Sequence, residues 1–284
     1  MLTFLLSLGL SVEQSNRNIL GRKELDFYLP EEKIGIEFNG LYWHSEAAGR
    51  SKNYHRNKWA MCRNKDVQLI QIWEDDWRDR KALVSKTLTV TLGKANQLSK
   101  VCSEILPAVD AQHLRVVPLP PSHARTFLDT NHLDGYAHGT HYLGLEDSST
   151  LRAVLVLQEE TPGGMRIVRY AAAGEVSEGF AVLLKASEIR YSPSSFIGYT
   201  DNCMSDEVLY QRNGFIPVGE IEPDYVYLAS SRRHEKSHYT RQRFHDDPNL
   251  KWVEGATEDE LAKLNGIHKI WDAGKTIWTK SLNL

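Results

Sequence analysis

The chain has 284 residues, 41% hydrophobic and 25% charged, with Gly 19 and Pro 10. That balance excludes a disordered or low-complexity chain, and the length suffices to bury cores in two domains. The net charge of −3 hides an asymmetry: residues 1–95 carry 15 Lys+Arg against 12 Asp+Glu, the remainder 19 against 25. A mildly basic first part favours nucleic acid only weakly.

In chain order, the apolar opening MLTFLLSLGL lacks a basic leader and a small-residue cleavage site and is too short to span a membrane. It reads as an amphipathic helix over 1–10, which points to the cytoplasm and to no membrane partner. Strands follow over Glu24–Leu29 and Ile34–Asn39 around a turn at Pro30–Lys33, then a helix over Asn53–Asn64. Val67–Trp73 has β-formers on both faces, as in a covered central strand. Strand, helix and strand make a right-handed parallel crossover. A helix over Asp79–Leu92 and a linker over Gly93–Ser99 complete a first domain of residues 1–95.

In the second half, strands are expected at Arg115–Leu119, HYLGLED, LRAVLVLQEE, RIVRYAAAG, SFIGYTD and DYVYLA. Helices are expected at His123–Asn131, Ser177–Ala186, DEVLYQRNGF and Thr257–Leu264. These define a domain over 96–245 and a C-terminal extension over 246–284. Cys62, Cys102 and Cys203 are widely spaced, which fits reduced structural thiols rather than a zinc cage.

The chemistry concentrates at GIEFNGLYWH, Gly35–His44. Side chains alternate along a strand, so Glu37 and Asn39 share a face, and pairing with the first strand brings Asp26 beside Glu37. Crowded carboxylates on an apolar face repel one another and desolvate badly; a divalent cation such as Mg²⁺ relieves both problems. His55 and Lys58 lie one helical turn apart and can look down on this hairpin. Two basic clusters, Arg50–Lys65 and SSRRHEKSHYTRQRFH, suit phosphate contact.

The run LDFYLP…IGIEFNGLYWH…KNYHRNK…QLIQIWEDDW resembles phage homing endonucleases related to the very-short-patch mismatch repair endonuclease, within the PD-(D/E)xK superfamily. That resemblance implies an α/β, restriction-endonuclease-like first domain with a mixed sheet and flanking helices. Asp26 and Glu37 match its metal-holding acids, and His44 matches a histidine that assists hydrolysis. Asn39 stands where the superfamily has a lysine, so Lys58 would supply that charge. Asp26, Glu37, Asn39, His44, His55 and Lys58 are the expected catalytic set. Arg56, Arg63, Lys65, Arg232, Arg233, Lys236, Arg241 and Arg243 are the expected grips on double-stranded DNA.

FLDTNHLDG, EVSEGFAVLLKA, IGYTDN and LYQRNGF resemble the α+β fold of GNAT acyltransferases. There a Gly-rich turn at a helix N-terminus holds the pyrophosphate of acyl-CoA. The corresponding stretch here, Gly174–Gly179, carries Glu175 and Glu178, which are electrostatically unhelpful. Acyl-CoA is therefore not expected as a partner. The expected function is a Mg²⁺-dependent homing endonuclease, working in the cytoplasm of a phage-infected bacterial host. A non-cleaving DNA-binding protein, and an acyl-CoA-dependent N-acetyltransferase with a nuclease-like appendage, remain alternatives.

Overall fold

The hairpin expected around Pro30 forms, in a computed structural model describing residues 1–21, 23–94, 96–97, 106–161, 163–204 and 207–282. β1 (Glu13–Asn16), β2 (Leu25–Leu29), β3 (Ile34–Asn39) and β4 (Gln68–Trp73) form a four-stranded sheet in that order. β2 and β3 are antiparallel with Phe27 opposite Ile36, whereas β3 and β4 run parallel from Ile34–Gln68 to Asn39–Trp73. Parallel pairing requires a crossover. After α1 (Leu2–Ser7), that crossover is α2 (Tyr54–Arg63), which buries His55, Lys58, Trp59 and Cys62 at helical spacing. The helix expected over 79–92 forms as α4 (Lys81–Thr91); the short α3 (Glu74–Asp79) before it was not expected, and Arg80, with φ −131°, separates the two. Leu5, Leu8, Ile36, Ile70, Val84 and Leu88 share one core.

The second half is built on a seven-stranded sheet. In chain order its strands are β6 (Arg115–Pro118), β7 (His141–Asp147), β8 (Thr150–Glu160), β9 (Gly164–Ala172), β11 (Ser195–Asp201), β12 (Ile216–Ile221) and β16 (Lys275–Ser281). Across the sheet the order is β12-β16-β11-β9-β8-β7-β6. β5 (Val109–Asp110) pairs separately with β10 (Val176–Ser177), and β14 (Arg232–His234), β13 (Tyr225–Ala229) and β15 (His268–Trp271) form a three-stranded sheet. The alternation of β8 fixes the layers. Ala153, Leu155 and Leu157 pack with α6 (Gly179–Tyr191), while Val154 and Val156 pack with α5 (Pro121–Asn131). α7 (Val208–Arg212) sits on the α6 side through Tyr210, and α8 (Arg241–Asp246) and α9 (Glu258–Leu264) pack on Tyr227 of the small sheet.

Some expectations shift. The helix expected from Ser177 starts at Gly179, because Val176 and Ser177 pair with β5. β12 was not expected: all six of its residues are exposed and Pro217 and Gly219 interrupt it, so it lacks the apolar alternation that marks a strand. Cys62 and Cys203 are buried free thiols in one core; Cys102 and residues 95, 98 and 99 of the expected linker lie outside the described residues. Among the described residues no helix is long and apolar enough to cross a membrane.

The two halves are tied together at several points. The Gln71 N–H donates to the Cys203 carbonyl at 2.7 Å, and the Trp271 indole N–H donates to Glu46 at 2.9 Å. Leu133 and Met204, from the second half, pack against the first core.

Candidate functional site

Asp26 and Glu37 do meet. Asp26 Oδ2 accepts the Phe38 N–H at 2.8 Å and Glu37 Oε1 accepts the Asp26 N–H at 3.2 Å. Each carboxylate thus has a backbone donor, and Glu37 Oε2 takes an ion pair from Lys58 rather than facing an open cation site. Burial is the main force on Glu37, 3% exposed, pushing its carboxyl up to about 7; Lys58 acts against that shift and Asp26 adds to it.

Asn39, His55 and Gln71 form a buried set beneath this pair. Gln71 Oε1 accepts from Asn39 Nδ2 at 3.2 Å and from His55 Nδ1 at 2.5 Å. That acceptor fixes the tautomer: His55 Nδ1 carries the proton. His44 stacks on His55 with ring centroids 5.1 Å apart. Burial, reinforced by neighbouring cations, lowers His44 to about 3 and His55 to about 4, so both rings are neutral. All six expected catalytic residues come to one region, knitted to one another.

The expected DNA grips are mostly engaged with carboxylates. Arg56 pairs with Glu220 at 2.8 Å and with Glu222; Arg63 lies 3.5 Å from Glu207. Arg232 meets Asp79 at 3.2 Å, and Arg233 meets Asp75 at 2.9 Å and Asp76 at 2.5 Å. Lys236 pairs with Asp224, Arg243 lies 3.8 Å from Asp247, and Arg241 sits over the Trp252 ring. Lys65 is exposed. Most of these cations hold the molecule together instead of forming a free basic face.

The open chemistry lies in the seven-stranded sheet. β9 and β11 run parallel but pair only at Ser195–Gly164, Phe196–Met165 and Ile197–Arg166. Beyond those three positions each strand keeps only its outer neighbour, β8 or β16, and a wedge opens between them. The ring of Tyr210 lies over Gly198, the first β11 residue past the pairing, and Tyr210 is buried, which raises its phenol pKa. Asp201 ends β11 and accepts the Cys203 N–H at 2.8 Å; burial pushes its carboxyl up to about 6. At the far end of β9, the chain turns through Gly174–Glu178 into the N-terminus of α6. A cleft of about 2320 Å³ joins the wedge to α3 and α4 of the first layer. Tyr210 and Asp201 were not singled out from the sequence, although IGYTDN and LYQRNGF contain them.

No family model and no curated protein matches the chain. Among solved structures it is similar to an IAA acetyltransferase from Bacillus cereus ATCC 14579, at 16% identity over 60% of this chain and 99% of that one, with TM-score 0.34. It is also similar to a Bacillus subtilis acetyltransferase in complex with CoA, at 17% identity over 60% and 99%, with TM-score 0.36. A GNAT family acetyltransferase from Elizabethkingia anophelis with acetyl-CoA bound matches at 14% identity over 60% and 98%, with TM-score 0.33.

These findings correct the expected function: the similar structures are acetyltransferases, not nucleases, and two of them hold CoA or acetyl-CoA. The Mg²⁺-dependent endonuclease, its double-stranded DNA partner and the exclusion of acyl-CoA are all overturned. The local geometry gives a physical reason. Among the described residues no group of three or more His, Cys, Asp or Glu is placed to hold a metal ion. Lys58 meets the charge of Glu37 where a cation was expected, and most of the basic grips face carboxylates.

Proposed function

We propose that the chain is a GNAT-type N-acyltransferase that takes an acyl thioester such as acetyl-CoA into the wedge between β9 and β11. The observation that carries this reading is the parallel pairing that stops after three positions. Backbone amides and carbonyls left without a strand partner need one. An extended, amide-bearing arm supplies partners by lying between the strands as an added strand would.

The surroundings fit such a group. A Cβ at Gly179 would lie 2.6 Å from the Tyr170 hydroxyl, so only glycine lets the first turn of α6 approach the wedge this closely. The first N–H groups of α6 and its dipole favour a pyrophosphate there, while Glu175 and Glu178 oppose it. When bound, the thioester supplies the acyl group. Tyr210 is placed to give its phenolic proton to the departing sulfur.

In this reading residues 1–95 form a layer covering one face of the acyltransferase unit, residues 96–245 carry the wedge, and 246–284 bring β15 and β16 back to it. The likeness of the first layer to a restriction-endonuclease fold goes no further than its hairpin, crossover helix and parallel strand.

The test is a thermal melt of the full chain with acetyl-CoA, followed by thiol release from acetyl-CoA with lysine amide or spermidine as acceptor. The reading expects a rise in Tm that grows with acetyl-CoA concentration, and amine-dependent thiol release. No stabilisation at millimolar acetyl-CoA together with no thiol release sinks it.

A further inference from the structure

We propose that the first layer is a working part of the thioester site: Gln71 of β4 is a positioning residue that holds the end of β11 away from β9 and so keeps the wedge open. This rests on the acyltransferase reading above and gives the first layer a task beyond covering one face.

An open wedge has a competitor. β9 and β11 pair at three positions, and closing the strands would let the backbone groups beyond those positions satisfy one another. Keeping them apart needs a hold on β11 from its other sides. β16 supplies one, pairing with β11 along its whole length from Ser195–Ser281 to Asp201–Lys275. Just past that ladder Asn202 donates its backbone N–H to the Gly274 carbonyl at 3.1 Å and accepts the Thr276 hydroxyl at 2.9 Å.

The second hold comes from the first layer. β4 is an edge strand of its sheet, and its Gln71 N–H donates out of that sheet to the Cys203 carbonyl at 2.7 Å, two residues past β11. The Gln71 side chain, 1% exposed, repeats the contact: Nε2 lies 3.6 Å from Cys203 Sγ. Its Oε1 accepts from Asn39 and His55, which fixes the end of the amide that meets Cys203. Apolar packing completes the grip. Cys203 is buried in one core with Trp59, Cys62 and Leu69, and Met204 packs against both cores of the first layer. The clamp stands on a firm base, since β4 pairs with β3 at six consecutive positions and Ile70 and Ile72 are buried.

With this anchor in place the open form, which admits the thioester arm, is the populated one. Loosening the anchor lets the strands close and reduces apparent affinity by the fraction of molecules closed. A bound arm still meets the same Tyr210, so turnover at saturation is preserved.

The experiment measures thiol release with spermidine over a range of acetyl-CoA concentrations for the wild-type chain, Gln71→Met, Met204→Ala, Met204→Leu and Trp271→Phe. Gln71→Met keeps the shape and removes the side-chain bonds; Met204→Ala empties the apolar anchor. Both are expected to raise KM for acetyl-CoA about fivefold or more, with kcat within about twofold of wild type. Met204→Leu refills the volume and is expected to restore KM. Trp271→Phe removes a different hydrogen bond between the halves, Trp271 to Glu46, and is expected to leave KM unchanged. A lowered Tm with wild-type KM in both Gln71→Met and Met204→Ala overturns the proposal, because the contact then only holds the layers together. An equal rise of KM in Trp271→Phe overturns it as well. Hydrogen exchange on the wild-type chain covers variants that fail to fold. Coupling is reciprocal, so acetyl-CoA is expected to slow exchange of the Gln71 amide, and an unchanged rate there overturns the proposal. If the wild-type chain itself neither responds to acetyl-CoA nor releases thiol, the acyltransferase reading falls first and takes the role of Gln71 with it.

Discussion

Tyr210 fills the space that a side chain at Gly198 would need: a Cβ there would sit 2.2 Å from Tyr210 Cε1 and 2.6 Å from its hydroxyl oxygen. The ring is stacked on Trp278 with centroids 5.8 Å apart, so it has little room to retreat. Two substitutions separate packing from chemistry. Tyr210→Phe keeps the ring and is expected to cost about 1 kcal/mol or less, while lowering thiol release at least about tenfold. Gly198→Ala keeps the hydroxyl but drives the ring off its seat, at a cost of about 1–3 kcal/mol. Chemical denaturation and the thiol assay, run on both variants, check this. An undisturbed Gly198→Ala protein would mean the ring is not held there.

The buried group around Gln71 gives a signature in pH. The folded-state carboxyl of Glu37, at about 7, lies above its ordinary 4.5. The native state therefore holds more protons, and this contribution to stability is present at low pH and lost as pH rises from about 4.5 through 7. His55, at about 4 against 6.5, is the reverse case: its contribution is present above 6.5 and lost as pH falls through 4. His44 has the same sign as His55. The two slopes oppose each other in wild type. Glu37→Gln is expected to add about 3 kcal/mol to the gain in stability between pH 4.5 and 7, and His55→Gln to remove a similar amount. Urea unfolding at pH 4.5 and pH 7 reads both; a Glu37→Gln protein that parallels wild type would show that Glu37 does not titrate in this range.

The hairpin, the crossover helix and β4 were readable because each writes its burial into local spacing. Glu37 stands out in IGIEF for the same reason. What meets Glu37 is not local: Lys58 arrives from 21 positions on, and no strand pattern distinguishes a carboxylate awaiting a cation from one awaiting a lysine. The basic clusters mislead in the same way, since Arg233 finds Asp75 from 158 positions away. The wedge left no mark at all. Where two parallel strands stop pairing is a property of the assembled sheet, and β9 and β11 each keep ordinary strand composition through the point of divergence.

The ion pairs joining the two halves differ in weight. Arg233 and Asp75 have side chains only 20% and 11% exposed, and the Arg233 N–H also donates to Asp75 at 3.0 Å. Arg233→Ala leaves Asp75 without its countercharge and is expected to cost about 2–3 kcal/mol. Arg56 faces Glu222, which is 62% exposed, so Arg56→Ala is expected to cost under about 1 kcal/mol, and that difference should vanish in high salt. Denaturant unfolding in low and high salt tests the ranking. Equal losses for the two variants would show that the α3 contact is no more than a surface pair.

Glu178 precedes α6 with φ 58° and makes no side-chain cap. It combines two unfavourable features: a left-handed backbone in a residue with a Cβ, and a negative charge at the positive end of a helix where phosphates are proposed to sit. The charge suits the dipole when the site is empty but repels a pyrophosphate. Glu178→Gly should therefore gain about 1 kcal/mol from the backbone and bind acetyl-CoA several-fold more tightly. Glu175→Gln, which changes charge without touching a left-handed residue, should tighten binding with little change in Tm. Calorimetric titration of acetyl-CoA against the three proteins decides. If Glu178→Gly raises Tm yet neither variant alters affinity, the phosphates do not lie at the start of α6.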